Sequence, residues 1–298
     1  MRILVTGKNG QLGRSIHKAI SANSTEINTY KNLNEFVFVG RGELDLSQEE
    51  GVANYFNNND KFDIIINCAA YTVVDKAEEE QELANQVNHL AVKQLAKIAN
   101  KQQAKLIHIS TDYVFDGESD KPYTETDKTN PINVYGKTKL AGEKALQEVM
   151  PTNAIIVRIS WLYSEFGSNF VNTMLRIGKE RDDVRVISDQ IGSPTYTADV
   201  AKVLLHIVLS KKIKMNFNSE IYHYSAKGLC SWYNFSKSIF EYKKINCKAI
   251  PIKEREWSAK MQRPKYSALD NHKIQRQFKV IVPFWLDSLH TCLDKIEK

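Results

Sequence analysis

No apolar run in these 298 residues is long enough to span a bilayer, so a transmembrane helix is not expected. No block of basic residues stands out either. The net charge of +6 is scattered, which argues against a nucleic-acid surface and suits a small anionic ligand. The four cysteines (Cys68, Cys230, Cys247 and Cys292) form no CxxC pair or other metal-ligand spacing, which leaves reduced thiols. Internal repeats, low-complexity tracts and long Gly/Ser linkers are absent, which excludes a repeat architecture. What is present is ordinary: 42% hydrophobic and 26% charged residues describe a soluble globular protein. The length allows a large core and two lobes sharing a cleft. Met1-Arg2-Ile3-Leu4-Val5 begins a strand rather than a signal peptide, and a cytoplasmic protein is the expectation.

The short β-branched run from Arg2 to Thr6 ends in Gly7-Lys8-Asn9-Gly10-Gln11-Leu12-Gly13, and Leu12, Ile16, Ala19 and Ile20 then recur at helical spacing. Between a strand and a helix, three glycines have separate tasks. One makes the tight turn, one lets backbone approach a pyrophosphate, and one lets the helix pack against the strand. The helix N-terminus turns its dipole and unpaired N–H groups towards the phosphates. Gly7, Asn9, Gly10, Gln11, Leu12 and Gly13 are therefore expected to hold a dinucleotide, where a bare glycine loop would be only a turn.

The next strand, Phe36 to Val39, runs into Gly40-Arg41-Gly42-Glu43-Leu44-Asp45-Leu46. An acid at this strand end suits the ribose 2′-hydroxyl of NAD, and an arginine suits a 2′-phosphate. Arg41 points to NADPH, with Asp45 and Leu46 at the adenosine end. If Arg41 is only a solvated loop residue, NADH use stays open. Asp63 to Ala70 reads as a third strand, and Cys68, Ala69, Ala70, Tyr71 and Thr72 would let a cofactor lie against backbone. Residues 79–102 read as one long helix with Leu83, Val87, Leu90, Ala91, Leu95 and Ile98 on a stripe. Lys105 to Ser110 is a fourth strand delivering Thr111 at its carboxyl end, where open α/β sheets bind ligands. His108 reads as a buried structural histidine. A helix over 133–148 and a strand from Ala154 to Ile159 continue the alternation. The fold class is α/β, with a Rossmann-type doubly wound parallel sheet over residues 1–160.

Twenty-four residues beyond Thr111 stands Tyr135-Gly136-Lys137-Thr138-Lys139. A Tyr and a Lys four apart on a helix lie on one face. Alone, that spacing more often marks an amphipathic pair on a surface helix. Beside a dinucleotide loop it has a chemical reading. A phenol of pKa about 10 exchanges protons poorly at neutral pH, and lowering it to about 7 corresponds to about 4 kcal/mol of environment. Lys139 is expected to supply that lowering, and Thr111 to hold the reacting oxygen.

These motifs together resemble the extended short-chain dehydrogenase/reductases, which act on nucleotide sugars. The resemblance covers the glycine loop, Ser110-Thr111-Asp112-Tyr113-Val114-Phe115-Asp116-Gly117, Asn133 to Glu143, Ser160-Trp161-Leu162-Tyr163, Asp189 to Thr195 and Arg263-Pro264-Lys265-Tyr266-Ser267. It is similar within them to the branch that reduces dTDP-4-dehydro-L-rhamnose to dTDP-L-rhamnose. The resemblance implies catalysis by Tyr135 as proton donor, assisted by Lys139 and Thr111, with Lys139 also bonding the nicotinamide ribose. Substrate contacts would come from Asp112, Tyr113, Trp161 and Arg263, the arginine taking the pyrophosphate with its planar fork. Some relatives hold Mg²⁺; here Arg14 and Ser15 follow the loop, no carboxylate cluster suits the ion, and no metal is expected. No nucleic acid or membrane partner is expected, and a homodimer stays open.

Beyond Trp161 the periodicity weakens. Asn169 to Gly178 reads as a helix, Val184 to Ile187 as a strand, and Thr197 to Val208 as a capped amphipathic helix in a segment (195–212) returning to the first domain. The rest of 161–298, including Tyr222-His223-Tyr224 and a Ser231-capped helix, is expected to form a smaller mixed α/β sugar-nucleotide lobe. Two other readings of the residues stay open. One is a reductase or epimerase of another nucleotide 4-keto-6-deoxy sugar; another is a catalytically silent dinucleotide-binding regulatory subunit. A 4,6-dehydratase would place Glu after the Asp, where this chain has Tyr113.

Overall fold

Strand β1 (Arg2–Thr6) feeds two cores at once: Ile3 and Val5 face one side of the sheet and Leu4 the other. The computed structural model describes residues 1–21, 34–257 and 261–296. After β1 come α1 (Gln11–Ser21), β2 (Glu35–Val39), α2 (Glu49–Asn57), β3 (Ile64–Asn67), α3 (Gln81–Asn85), α4 (Ala91–Gln102), β4 (Lys105–Thr111), α5 (Val134–Val149) and β5 (Ala154–Ile159). The chain continues through β6 (Leu162–Tyr163), α6 (Phe170–Glu180), β7 (Asp183–Ile187), β8 (Ile191–Gly192), β9 (Thr195–Tyr196) and α7 (Thr197–Leu209). It closes with β10 (Glu220–Tyr224), β11 (Cys230–Ser231), α8 (Trp232–Lys243), β12 (Lys248–Ile252), α9 (His272–Phe278) and α10 (Trp285–Lys295).

Six parallel strands form the main sheet in the order β10-β5-β4-β3-β1-β2. The chain winds outward from β1 to β2 and then restarts on the other side at β3. That reversal opens a crevice at the carboxyl ends of β1 and β3, where doubly wound folds take their ligands. Helices α1, α7 and α9 cover one face of the sheet; α2, α4 and α5 cover the other. The smaller lobe packs α6, α8 and α10 around Val171, Phe235, Ile239 and Leu289, with β7 and β12 paired in parallel at its edge.

Three local readings change on seeing the fold. The helix expected over 79–102 is interrupted by a π turn at Gln86–Leu90. The extra residue in that turn rotates the stripe, so Leu90 is 42% exposed while Asn88 points inward. Helix α7 has no side-chain cap hydrogen bond at Tyr196; the Thr197 hydroxyl instead meets Ser15 Oγ of α1 at 2.6 Å. Tyr222-His223-Tyr224 belongs to the main sheet, where β10 pairs in parallel with β5. It covers the edge that β5 would otherwise leave open, and α9 joins the same core through Ile274 and Phe278. The return to the first domain thus extends well beyond residue 212.

Helix α5 is held on the sheet by a buried ion pair. Arg158 of β5 grips Glu143 with Nε–Oε1 at 2.9 Å and Nη2–Oε2 at 2.6 Å. The guanidinium also lies over the Phe115 ring, 5.1 Å from its centroid.

Candidate active site

Gly7 adopts φ +72°, and a Cβ there would come within 2.9 Å of the Ala69 nitrogen. The first turn therefore brings β1 and β3 together in a way only glycine permits. A Cβ on Gly13 would lie 2.2 Å from the Gly7 carbonyl oxygen, so Gly13 is what lets α1 start tightly against the loop. Above this cradle lies a cleft of about 960 Å³.

Nearly every residue singled out from the sequence lines that cleft. Gly7, Asn9, Gly10, Gln11 and Leu12 form its floor, and Arg41, Asp45 and Leu46 its far end. Cys68, Ala69, Ala70, Tyr71 and Thr72 form one wall; burial pushes the Cys68 thiol up to about 12, leaving it unreactive. Thr111, Asp112, Tyr113, Tyr135, Lys139, Trp161 and Arg263 surround the other end. Gly13 does not line the cleft; its place is in the packing beneath.

Helix α5 brings Tyr135 and Lys139 there. Asn133 caps it, its side chain accepting from the Gly136 N–H at 2.8 Å. A Cβ on Gly136 would sit 2.1 Å from the Tyr113 carbonyl, so the helix starts pressed against the turn that follows β4. This closeness sets the Tyr135 ring edge-to-face with Tyr113, centroids 5.5 Å apart. Thr111 donates to Asp112 Oδ1 at 2.9 Å and accepts from the Tyr113 N–H at 3.2 Å.

The electrostatics differ from expectation in one respect. The sequence predicts a phenol whose pKa is lowered by Lys139. Instead burial pushes Tyr135 above its usual value, the Asp112 charge adds to this, and the nearby Thr111 hydroxyl opposes it. The physical reason lies in where the ammonium points: Lys139 Nζ donates to the Ile109 carbonyl at 2.6 Å and approaches His108 Nε2 at 3.4 Å. Tyr135 is consequently a protonated phenol at neutral pH. Lys139 is itself brought down to about 8, chiefly by burial, with Glu143 one turn further along favouring its charged form. Burial raises Asp112 to about 7, against stabilisation of its charge by Thr111 and Ser267. Ser267 is close enough to exert that effect, yet Asp112 Oδ2 has no partner in hydrogen-bond geometry among the described residues.

The family profile described as RmlD substrate binding domain matches residues 1–298. The dTDP-4-dehydrorhamnose reductase of Escherichia coli (strain K12) is 39% identical over 304 residues, covering 99% of this chain and 98% of that protein. The chain belongs to this family.

Solved RmlD-family structures agree. A dTDP-4-dehydrorhamnose reductase from Clostridium acetobutylicum superposes with TM-score 0.88 at 39% identity, covering 99% of both chains. One from Bacillus anthracis, in complex with NADP, gives TM-score 0.89 at 35% identity over 99% of both chains. The α/β fold with its dinucleotide-type sheet is that of the family.

Asn88, Trp232 and several contacts of residues already singled out, Gln11 among them, are not announced by the sequence. Asn88, turned inward by the π turn, bonds the Tyr71 N–H at 2.9 Å, the Tyr71 carbonyl at 3.1 Å and Thr138 Oγ1 at 3.3 Å. It thereby ties the wall after β3 to the helix carrying Tyr135. Trp232 stacks on Trp161 with centroids 3.5 Å apart, and Trp161 Nε1 donates to Ser267 at 2.9 Å. Gln11 Oε1 accepts from Ser164 Oγ at 2.8 Å and Asn169 Nδ2 at 3.0 Å, anchoring the second lobe on the glycine loop. Arg263, expected at a pyrophosphate, reaches the cleft mouth with its Nη2 on Asp75 Oδ1 and Oδ2 at 3.0 and 2.9 Å. A helix-period scan would flag none of the first three, because each acts through a partner distant in sequence.

Proposed function

We propose that this chain reduces the C4 ketone of dTDP-4-dehydro-L-rhamnose, giving dTDP-L-rhamnose for cell-surface polysaccharide such as O-antigen, with NADPH as reductant. The observation that carries the reading is the meeting of Tyr135, Lys139 and Thr111 on one cleft, above a glycine cradle that backbone fills to contact. The cradle fits a dinucleotide: Gly7 and Gly10 put backbone without a side chain on the cleft, and α1 starts there, where a helix N-terminus suits phosphate. NADPH, when bound, supplies a hydride to the sugar carbon.

The remaining chemistry falls to the protein. Thr111 turns its one hydroxyl proton from Asp112 to the carbonyl oxygen and holds it there. Tyr135 hands its phenolic proton to that oxygen as charge grows there, so the ketone becomes a secondary alcohol. Lys139, whose ammonium lies on the cleft beside Ile109 and His108, would hold the nicotinamide ribose. Arg263 exchanges Asp75 for a substrate phosphate, a trade its planar fork suits, while Asp112, Tyr113 and Trp161 line the sugar end. Such a biosynthetic reductase works in the cytoplasm, where both NADPH and nucleotide sugars are made.

Lys139 sets a pH limit. Its charged form prevails below about pH 8 and is lost above it. Turnover is therefore expected to fall as pH rises through 8, and an alkaline limb in a kcat profile checks this.

Cofactor choice follows from the loop after β2. Glu43 is engaged by Lys8 and by the Gly40 N–H, and Asp45 by Ser47 and Arg41. Arg41 remains largely exposed at the cleft's end, available to a 2′-phosphate. Arg41→Ala is expected to lower the kcat/KM preference for NADPH over NADH about tenfold, the worth of one charge-assisted hydrogen bond.

The direct test mixes purified protein, NADPH and dTDP-4-dehydro-L-rhamnose. Loss of NADPH absorbance that requires the sugar supports the proposal; no oxidation above the sugar-free control ends it.

A further inference from the structure

Behind Lys139 stands a line of buried polar side chains that the reaction above leaves unused. Thr6 ends β1, Asn67 ends β3 and His108 lies in β4, all at most 1% exposed. Thr6 Oγ1 meets Asn67 Oδ1 at 2.7 Å, Asn67 Nδ2 meets His108 Nδ1 at 3.1 Å, and His108 Nε2 meets Lys139 Nζ at 3.4 Å. The line ends on the cofactor wall, because the Ala69 N–H donates to Thr6 Oγ1 at 3.2 Å.

We propose that His108 is a positioning residue for the reduction: its unprotonated Nε2 accepts from the Lys139 ammonium and aims it into the cleft. The catalytic meaning of this contact rests on the reductase reading. An ammonium carries three protons. One goes to the Ile109 carbonyl at 2.6 Å, the second to His108, and the third is left facing the cleft that Lys139 lines. One acceptor alone would let the group turn about its stem, whereas two on the sheet side fix the third direction.

The other groups facing Lys139 do not replace His108. Glu143, on the same helix, favours the ammonium through its charge but is gripped by Arg158. Cys68, at the end of β3, is kept a thiol by burial. Tyr135, one turn earlier on α5, is kept protonated.

Charge then dictates where the histidine carries its proton. Burial and the neighbouring ammonium hold His108 neutral, so one ring nitrogen is bare. An N–H aimed at an ammonium repels it, so Nε2 is the bare one and the proton sits on Nδ1. Asn67 must then have its amide turned over from the placement above, offering Nδ1 its oxygen and giving its NH₂ to Thr6. The two ends of an amide are told apart only by such partners.

Nitrogen-15 NMR of the full-length protein tests this directly. The His108 imidazole is expected to show a protonated Nδ1 and a bare Nε2 at neutral pH. Kinetics supply the second arm. His108→Leu, which removes the acceptor, is expected to move the alkaline limb of kcat down by about one pH unit and to cut kcat about tenfold with KM unchanged. His108→Gln, whose amide oxygen reaches the Nε2 position, is expected to keep the limb near its wild-type place. A proton found on Nε2 overturns the inference while leaving the reductase reading intact, even if the Leu variant fails to fold. Equal losses in both variants with an unmoved limb also overturn it, as a merely structural histidine would behave that way. If Nδ1 carries the proton but no sugar is reduced, the catalytic role falls together with the reductase reading.

Discussion

Replacing Tyr135 by phenylalanine is expected to cut turnover at least about a hundredfold while leaving NADPH binding little changed, as loss of a general acid does. The substitution removes one oxygen and keeps the ring. The edge-to-face contact with Tyr113 survives, as do the Asn133 cap and the close start of α5 against the Tyr113 carbonyl. What disappears is the buried phenol held above its usual pKa, and with it the proton that must reach the sugar oxygen. Steady-state kinetics and a separate cofactor titration distinguish the outcomes. An equal loss of turnover and cofactor affinity would make Tyr135 a structural residue and remove the mechanism.

The second large effect falls on stability. Glu143→Ala is expected to destabilise the fold by about 3–5 kcal/mol, because it strands a charged guanidinium in the interior. Arg158 and Glu143 are 2% and 1% exposed and share two short hydrogen bonds. Among the described residues, the groups around Arg158 offer no substitute anion: Phe115 presents a ring face, and His223, 3.4 Å away, is pushed down to about 3 by burial and by the Arg158 charge. Removing both charges together, as Glu143→Leu with Arg158→Met, should restore most of the loss, since a well-packed apolar pair avoids the desolvation of two ions. Urea unfolding of the single and double variants measures both. A loss under about 1 kcal/mol in Glu143→Ala, the scale of a surface pair, would show that water reaches the arginine.

The sequence exposes much of this because its strongest signals are local. Tyr135 and Lys139 share a helix face by spacing alone, the glycine loop sits where strand meets helix, and Thr111 falls at a strand's carboxyl end. Such features need only the periods of helix and strand. Asn88 escapes because a π turn leaves no mark in the hydrophobic pattern, and the same turn misplaces Leu90. Tyr222-His223-Tyr224 does not read as a sheet strand covered on both faces, for the ring of His223 is satisfied by a group far away in the chain, its Nδ1 meeting the Tyr123 carbonyl at 3.0 Å. The pKa of Tyr135 was equally out of reach. Spacing brings Lys139 onto its face, but only the fold shows the ammonium turned towards Ile109 and His108.

The central claim is transfer of hydride to C4 of the sugar, with Tyr135 completing the alcohol. It is tested most directly by running the reaction with NADPH deuterated at the nicotinamide C4 and reading the product by NMR. Deuterium at C4 of dTDP-L-rhamnose is the predicted result. Label at another carbon, a sugar of different configuration, or recovery of unchanged 4-keto sugar would contradict it.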